Sequence, residues 1–270
     1  MKSLFSILLG ILSINSFGQQ KLNLKKGEVL KLLVNSSQDM NMGMGMEMNS
    51  NFTAEYETVV ADLENDSIYI LLAKISSVKA RMSGAGESQQ YNSETGEGKD
   101  NDLGAALNEQ IGRTDTVRVN RYTGVPIAKD SADVSPAQLL NNNGVDMGTI
   151  TENAFFLLSN SQKPGDKWTV KSKTNGIDSE TEYELTQIEE NTATINYKTK
   201  VKGSTETEAQ GVPLTILTNG TVEGSFTANS VSGYIIQKTI ESDLTSSMDM
   251  MGQTMNISVK GKTTVTNTVK

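Results

Sequence analysis

Apolar and polar residues alternate along much of this chain. From Met40 the even positions carry Met42, Met44, Met46, Met48, Phe52, Ala54, Tyr56 and Val60. The odd positions carry Asn41, Gly43, Gly45, Glu47, Asn49, Glu55 and Glu57. Side chains on a strand point to opposite faces at every second residue, so this spacing predicts one apolar and one wet face. The run exceeds an ordinary strand, and a bend or break is expected near Asn49-Ser50-Asn51. The C-terminus repeats the pattern, with Met255, Ile257, Val259, Val265 and Val269 opposed to Asn256, Ser258, Lys260 and Lys262. Period two with one wet face belongs to antiparallel sheet.

Helical spacing is scarce. Asp102 is placed to cap a short helix through Ile111, with Leu103, Leu107 and Ile111 on one stripe. Ser135-Pro136 suits the start of a helical turn through Leu140, and Thr151 to Leu158 forms a third candidate. Residues 84–100 are Gly, Ser, Glu and Gln with almost no apolar side chain, which predicts a mobile loop. The fold class expected is therefore mainly β, a curved antiparallel sheet with a few short helices.

Three short matches recur in the same order. Gly27-Glu28-Val29-Leu30 is answered by Gly165-Asp166-Lys167-Trp168, and Glu55-Tyr56-Glu57 by Glu182-Tyr183-Glu184. Asn120-Arg121-Tyr122-Thr123-Gly124 is answered by Asn229-Ser230-Val231-Ser232-Gly233. They predict two similar β-meander halves, about residues 22–142 and 150–270. No Pro- or Gly-rich linker separates the halves near 143–150, so residues 19–270 are expected to form a single domain.

The N-terminus changes the picture of where this sheet folds. Lys2, an apolar stretch from Leu4 to Phe17 and Ser16-Phe17-Gly18 make a signal-peptide pattern with cleavage after Gly18. The stretch is shorter than the roughly 20 residues of a membrane span, and no later segment is apolar enough to be one. The expectation is an exported protein, soluble in the periplasm or released. Removal of Lys2 leaves 23 basic against 32 acidic side chains, a net charge of −9. That balance disfavours nucleic acid and anionic lipid surfaces.

The opening Leu24-Lys25-Lys26-Gly27, Ser37-Gln38-Asp39-Met40, the Asn-x-x-Thr/Ser-Gly hairpins and Lys163-Pro164-Gly165-Asp166-Lys167-Trp168 together resemble an uncharacterised family of exported β proteins common in Bacteroidota. The resemblance covers most of the chain after residue 18. It implies a location and a fold, and no activity. The layout is also similar to the half-barrels of periplasmic lipid and lipoprotein carriers, a curved sheet wrapped around helices.

Missing residue types exclude much chemistry. The chain has no histidine and no cysteine, which removes Ser-His-Asp hydrolysis, His- or thiolate-ligated zinc, thiol nucleophiles and iron–sulfur clusters. No phosphate-binding glycine loop is present. Glu55 and Glu57 share a strand face at a glycosidase-like separation, but on the wet parity. Asp100-Asn101-Asp102 lacks the spacing of a calcium loop. Asp66-Ser67-Ile68, Asp115-Thr116-Val117 and Asp130-Ser131-Ala132 fit a short glycosylation pattern that arises easily by chance. No cofactor, resident metal or catalytic residue follows, and the reading is a non-enzyme.

One cluster demands an explanation. Met40, Met42, Met44, Met46 and Met48, with Met248, Met250, Met251 and Met255, account for nine of the eleven methionines after Met1. Methionine is flexible and polarizable and fills irregular apolar space. Three readings stay open. The two faces are packed core in a structural or envelope-associated interaction protein; or Met40, Met42, Met44, Met46, Met48, Met248, Met250 and Met255 line a groove for an apolar, lipid-like molecule; or thioethers at Met-x-Met spacing bind Cu(I) or Ag(I). A groove above about 300 Å³ favours a ligand. The partners expected are thus an apolar small molecule or an envelope protein.

Overall fold

The computed structural model describes residues 21–43, 45–84, 86–127, 153–159, 161–174, 176–209, 212–250 and 253–270. The expected signal segment, the helix at Ser135–Leu140 and the junction near 143–150 lie outside them. Strands β1 (Val29–Asn41), β2 (Glu47–Glu64), β3 (Ile68–Gly84) and β4 (Glu87–Asn92) precede helix α1 (Asp102–Asn108) and β5 (Thr114–Asn120). Then follow β6 (Lys167–Thr174), β7 (Ile177–Glu189), β8 (Thr192–Ala209), β9 (Val212–Asn229), β10 (Ile235–Met250) and β11 (Gln253–Val269). All eleven strands belong to one open, curved antiparallel sheet of order β4-β3-β2-β1-β11-β10-β9-β8-β7-β6, with β5 also paired to β3. The last strand returns beside the first, so both meanders share one ladder. This is the mainly β, antiparallel class that the alternation predicts.

One face of the sheet is the core. Leu32, Val34, Phe52, Ala54, Tyr56, Ile75 and Val265 are buried there, and α1 sets Leu103 and Leu107 upon them. Leu22 and Leu24, in the segment before β1, cover Leu30, Val60, Tyr69, Leu71 and Val119. Each such buried aliphatic or aromatic side chain contributes about 1.5–3 kcal/mol. The other face is wet and ordered by cross-strand ion pairs such as Lys171–Glu180 (2.9 Å), Lys198–Glu223 (2.7 Å) and Lys262–Glu241 (2.9 Å). Exposed pairs add little stability, but opposite charges face each other only in the correct register.

Several local expectations need correction. The methionine run is not one strand broken at Asn49-Ser50-Asn51, because β2 runs through those residues. The chain instead reverses between Asn41 and Glu47, where Gly43 and Gly45 take φ of 74° and 77°, a region that glycine adopts without steric cost. The helix begins one residue earlier than expected in its cap: Asn101 Oδ1 accepts from Gly104 N at 2.7 Å, and α1 stops at Asn108. The expected helix at Thr151–Leu158 is helical only at Asn153–Ala154 among its described residues. Phe155 bridges Tyr234, Phe156 N donates to Gly233 O at 2.8 Å, and the chain to Leu158 has no regular structure. Residues 84–100 are not structureless, since they contain β4 and a series of turns. Polar side chains there satisfy the backbone, as where Asn92 Oδ1 accepts from Glu94 N.

The two meanders use the same hydrogen bonds at their starts and ends. Gly27 N donates to Val60 O (2.8 Å), and Val60 N to Glu28 O (3.0 Å). Likewise, Gly165 N donates to Leu185 O (2.7 Å), and Leu185 N to Asp166 O (3.0 Å). Asn120 Oδ1 accepts from Tyr122 N and Thr123 N, as Asn229 Oδ1 accepts from Val231 N and Ser232 N. These contacts equate Val60 with Leu185. Glu55-Tyr56-Glu57 therefore stands two residues out of step with Glu182-Tyr183-Glu184.

Candidate functional site

Strand register decides which side chains meet on the core face. In the second meander Trp168 lies opposite Tyr183, Tyr183 opposite Tyr197, and Ile195 opposite Phe226. They come from four strands, β6 to β9, and pairing assembles their rings into one cluster. Trp168 and Tyr183 stack at 5.4 Å between centroids, and Phe156 meets Phe226 edge-on at 4.7 Å. These offset and edge contacts suit the ring quadrupoles.

The cluster does not close the face. A cavity of about 640 Å³ remains above it, walled by Tyr183, Tyr197, Val222, Phe226 and Ile240 and roofed by Thr123–Pro126 and Phe155–Leu157. The roof is anchored by buried Asn267, whose Nδ2 donates to Asn153 O (3.2 Å) and Ile235 O (2.6 Å). Lys238 enters the wall from β10. Its Nζ lies 5.4 Å from the Tyr197 ring centre and donates to Asn153 Oδ1 at 2.9 Å. Tyr197 donates its hydroxyl to Thr239 O at 3.2 Å. Burial pushes its pKa well above the usual phenol range, with neighbouring Tyr183 adding to the rise. Burial raises Tyr183 as well. Both hydroxyls are therefore neutral at physiological pH, and neither tyrosine adds charge to the basin.

The predicted methionines divide between two neighbouring hairpins at one end of the sheet. Met40 lies opposite Met48 in the β1–β2 hairpin, and Met42 N donates to Met46 O at 2.9 Å. Met42, Met46 and Met48 line a cavity of about 390 Å³ together with Met82 from β3. Met44 lies outside the described residues. Met248 pairs with Met255 across the β10–β11 hairpin, apart from that cavity. Met250 pairs through its backbone with Gln253, and its side chain is outside the description. Sequence reasoning missed Met82 and the aromatic basin. Met82 stands alone in the sequence, and Tyr183, Tyr197 and Phe226 share a face only through register.

Other candidates have different chemistry. Glu57 sits between Lys74 Nζ (2.8 Å) and Lys31 Nζ (3.6 Å). The Lys74 hydrogen bond holds its carboxyl below the usual range, the wrong direction for a general acid. A larger hollow of about 910 Å³ on the wet face is of mixed character, lined by Lys173, Asp178, Lys202 and Asn219 together with Leu217 and Ile257. Among the described residues no group of three or more carboxylates is placed to hold a metal ion, and no helix is long and apolar enough to cross a membrane.

A family of unknown function (DUF6263) matches residues 147–235, about a third of the chain. No curated protein resembles the chain at a significant level. Among solved structures the chain is similar in fold to lipovitellin, described for its lipid–protein interactions. The TM-score is 0.50 at 11% identity over 92% of this chain, which spans only 26% of the lipovitellin chain. The translocator domain of the autotransporter NalP from Neisseria meningitidis gives 0.25 at 5% identity, covering 90% of this chain and 89% of that one. An outer-membrane channel from Pseudomonas putida F1 gives 0.27 at 8%, covering 93% and 98%. The last two scores are too low to support any shared architecture.

Proposed function

We propose that this chain is an exported, non-catalytic binding protein that takes an apolar, acyl-chain-like ligand on the core face of its sheet. The observation that carries the reading is the cavity of about 640 Å³ between the aromatic cluster and the roof segments. Its size falls within the range of small-molecule sites, and its walls are mainly apolar with a few polar groups, as such sites require. An open sheet leaves this face uncovered where no helix lies on it. The likeness to lipovitellin is one of fold, and it agrees with a sheet whose apolar face can hold lipid. The resemblance to half-barrel carriers of the bacterial envelope points the same way by analogy.

Titration with a fluorescent long-chain fatty acid (parinaric acid), after delipidation, tests the reading. The expected result is saturable binding that Ile240→Glu abolishes while the thermal melt stays cooperative. Absence of saturable binding, or unchanged binding by the variant, would assign the face to a structural or protein-interaction role.

A further inference from the structure

The geometry points to a second site: Met42, Met46, Met48 and Met82 form a thioether centre for a soft monovalent cation, Cu(I) or Ag(I). It lies on the methionine hairpin, shares no lining residue with the aromatic basin, and is independent of the ligand proposed there.

Met42 and Met46 flank the reversal and are tied by a backbone hydrogen bond. Met40 and Met48 form the next pair on the same face. Paired residues stand roughly 4.5–5.5 Å apart between Cα atoms, and successive same-face pairs roughly 7 Å apart. Flexible three-torsion side chains span such gaps. Met48 lies across the backbone of β3, its Cγ 2.6 Å from where a Cβ on Gly84 would stand. Met82, two residues before Gly84 on β3, faces Ser50, two residues along β2 from Met48, and lines the same cavity. The turn and two adjacent strands therefore bring four methionine side chains to one cavity.

Two features favour a cation over a neutral apolar guest. The rim of the same cavity carries Glu47, Glu87 and Asp102, whose charge attracts a cation and opposes burial of an acid. The chain also lacks histidine and cysteine, so no imidazole or thiolate competes for the ion. Thioethers select Cu(I) and its d¹⁰ analogue Ag(I) over harder cations. Met46 is 38% exposed, which leaves the cavity open to entry.

The test is anaerobic titration of the full chain with Cu(I) held by a chromogenic chelator, and with Ag(I) in chloride-free buffer. One equivalent should bind more tightly than ~1 μM. The triple variant Met42→Leu, Met46→Leu and Met82→Leu keeps volume and apolarity, and so preserves any packing role. It should weaken binding by more than the roughly 10–100-fold that an outer-shell change costs. X-ray absorption of the loaded wild type should show sulfur neighbours, a readout that does not depend on how the variant folds. Failure to withdraw Cu(I) from the chelator, equal affinity in the leucine variant, or a shell of oxygen alone would each overturn the site.

Discussion

Tyr197 and Gly224 face each other across β8 and β9, and the tyrosine hydroxyl would stand 3.1 Å from a Cβ placed on the glycine. The same Cβ would lie 1.9 Å from Thr239 O on β10, closer than real atoms approach. Glycine thus allows β10 to come close, and the tyrosine ring fills the space that a side chain would have taken. Gly224→Ala must push β9 and β10 apart and should cost about 1–3 kcal/mol. Urea denaturation measures this. An alanine variant as stable as the wild type would mean that the strands do not approach this closely.

The same tyrosine predicts an alkaline limit. Its pKa is raised by burial, so the folded state keeps the phenol proton that the unfolded state releases near pH 10. The stability associated with the neutral buried ring is complete below about pH 10 and is lost as pH climbs toward the folded value. Tyr197→Phe should make the stability profile flatter above about pH 10, while costing about 1 kcal/mol at neutral pH through the lost hydroxyl bond. Parallel alkaline profiles for the two proteins would refute the linkage.

How far the sequence discloses this arrangement depends on parity. In the β1–β2 hairpin, even residues pair with even residues, as Met40 does with Met48. The apolar alternation consequently runs through the reversal without a phase change, which hides the turn in the sequence. The core face was legible, because Phe52, Ala54 and Tyr56 alternate within one strand. The basin was not, because Tyr183, Tyr197 and Phe226 lie on three strands whose register is set by distant turns. The Glu-Tyr-Glu match points to a false register, two residues from the one that the Gly27–Val60 and Gly165–Leu185 contacts define. β4 escaped notice since Ser88, Gln89 and Gln90 have little strand propensity. Pairing with β3 and the burial of Tyr91 hold it in place.

Tyr69 fastens the segment that precedes the sheet. Its hydroxyl accepts from Leu24 N at 3.0 Å and lies within donating reach of the Leu22 and Leu24 carbonyls. Arg121 lies against its ring and donates to Leu22 O at 3.1 Å. Tyr69→Phe leaves a buried amide without an acceptor and should cost about 1–3 kcal/mol. Hydrogen exchange should show faster exchange at Leu22 and Leu24 than in β2. Unaltered exchange there would mean that apolar contacts alone hold the segment.

Asn267 gives the sharpest separation between stability and binding. One side-chain amide holds two backbone carbonyls, those of Asn153 and Ile235, and so ties the roof of the basin to β11. Asn267→Ala leaves both carbonyls without this donor at a buried position, a loss of about 1–3 kcal/mol in unfolding free energy. The strands beneath do not depend on that amide, because β11 keeps its ladders with β1 and β10. The roof should open more often, and parinaric acid should dissociate faster from the variant at nearly the same association rate. Stopped-flow displacement resolves the two rates. Lower stability with an unchanged dissociation rate would show that the roof does not retain the ligand.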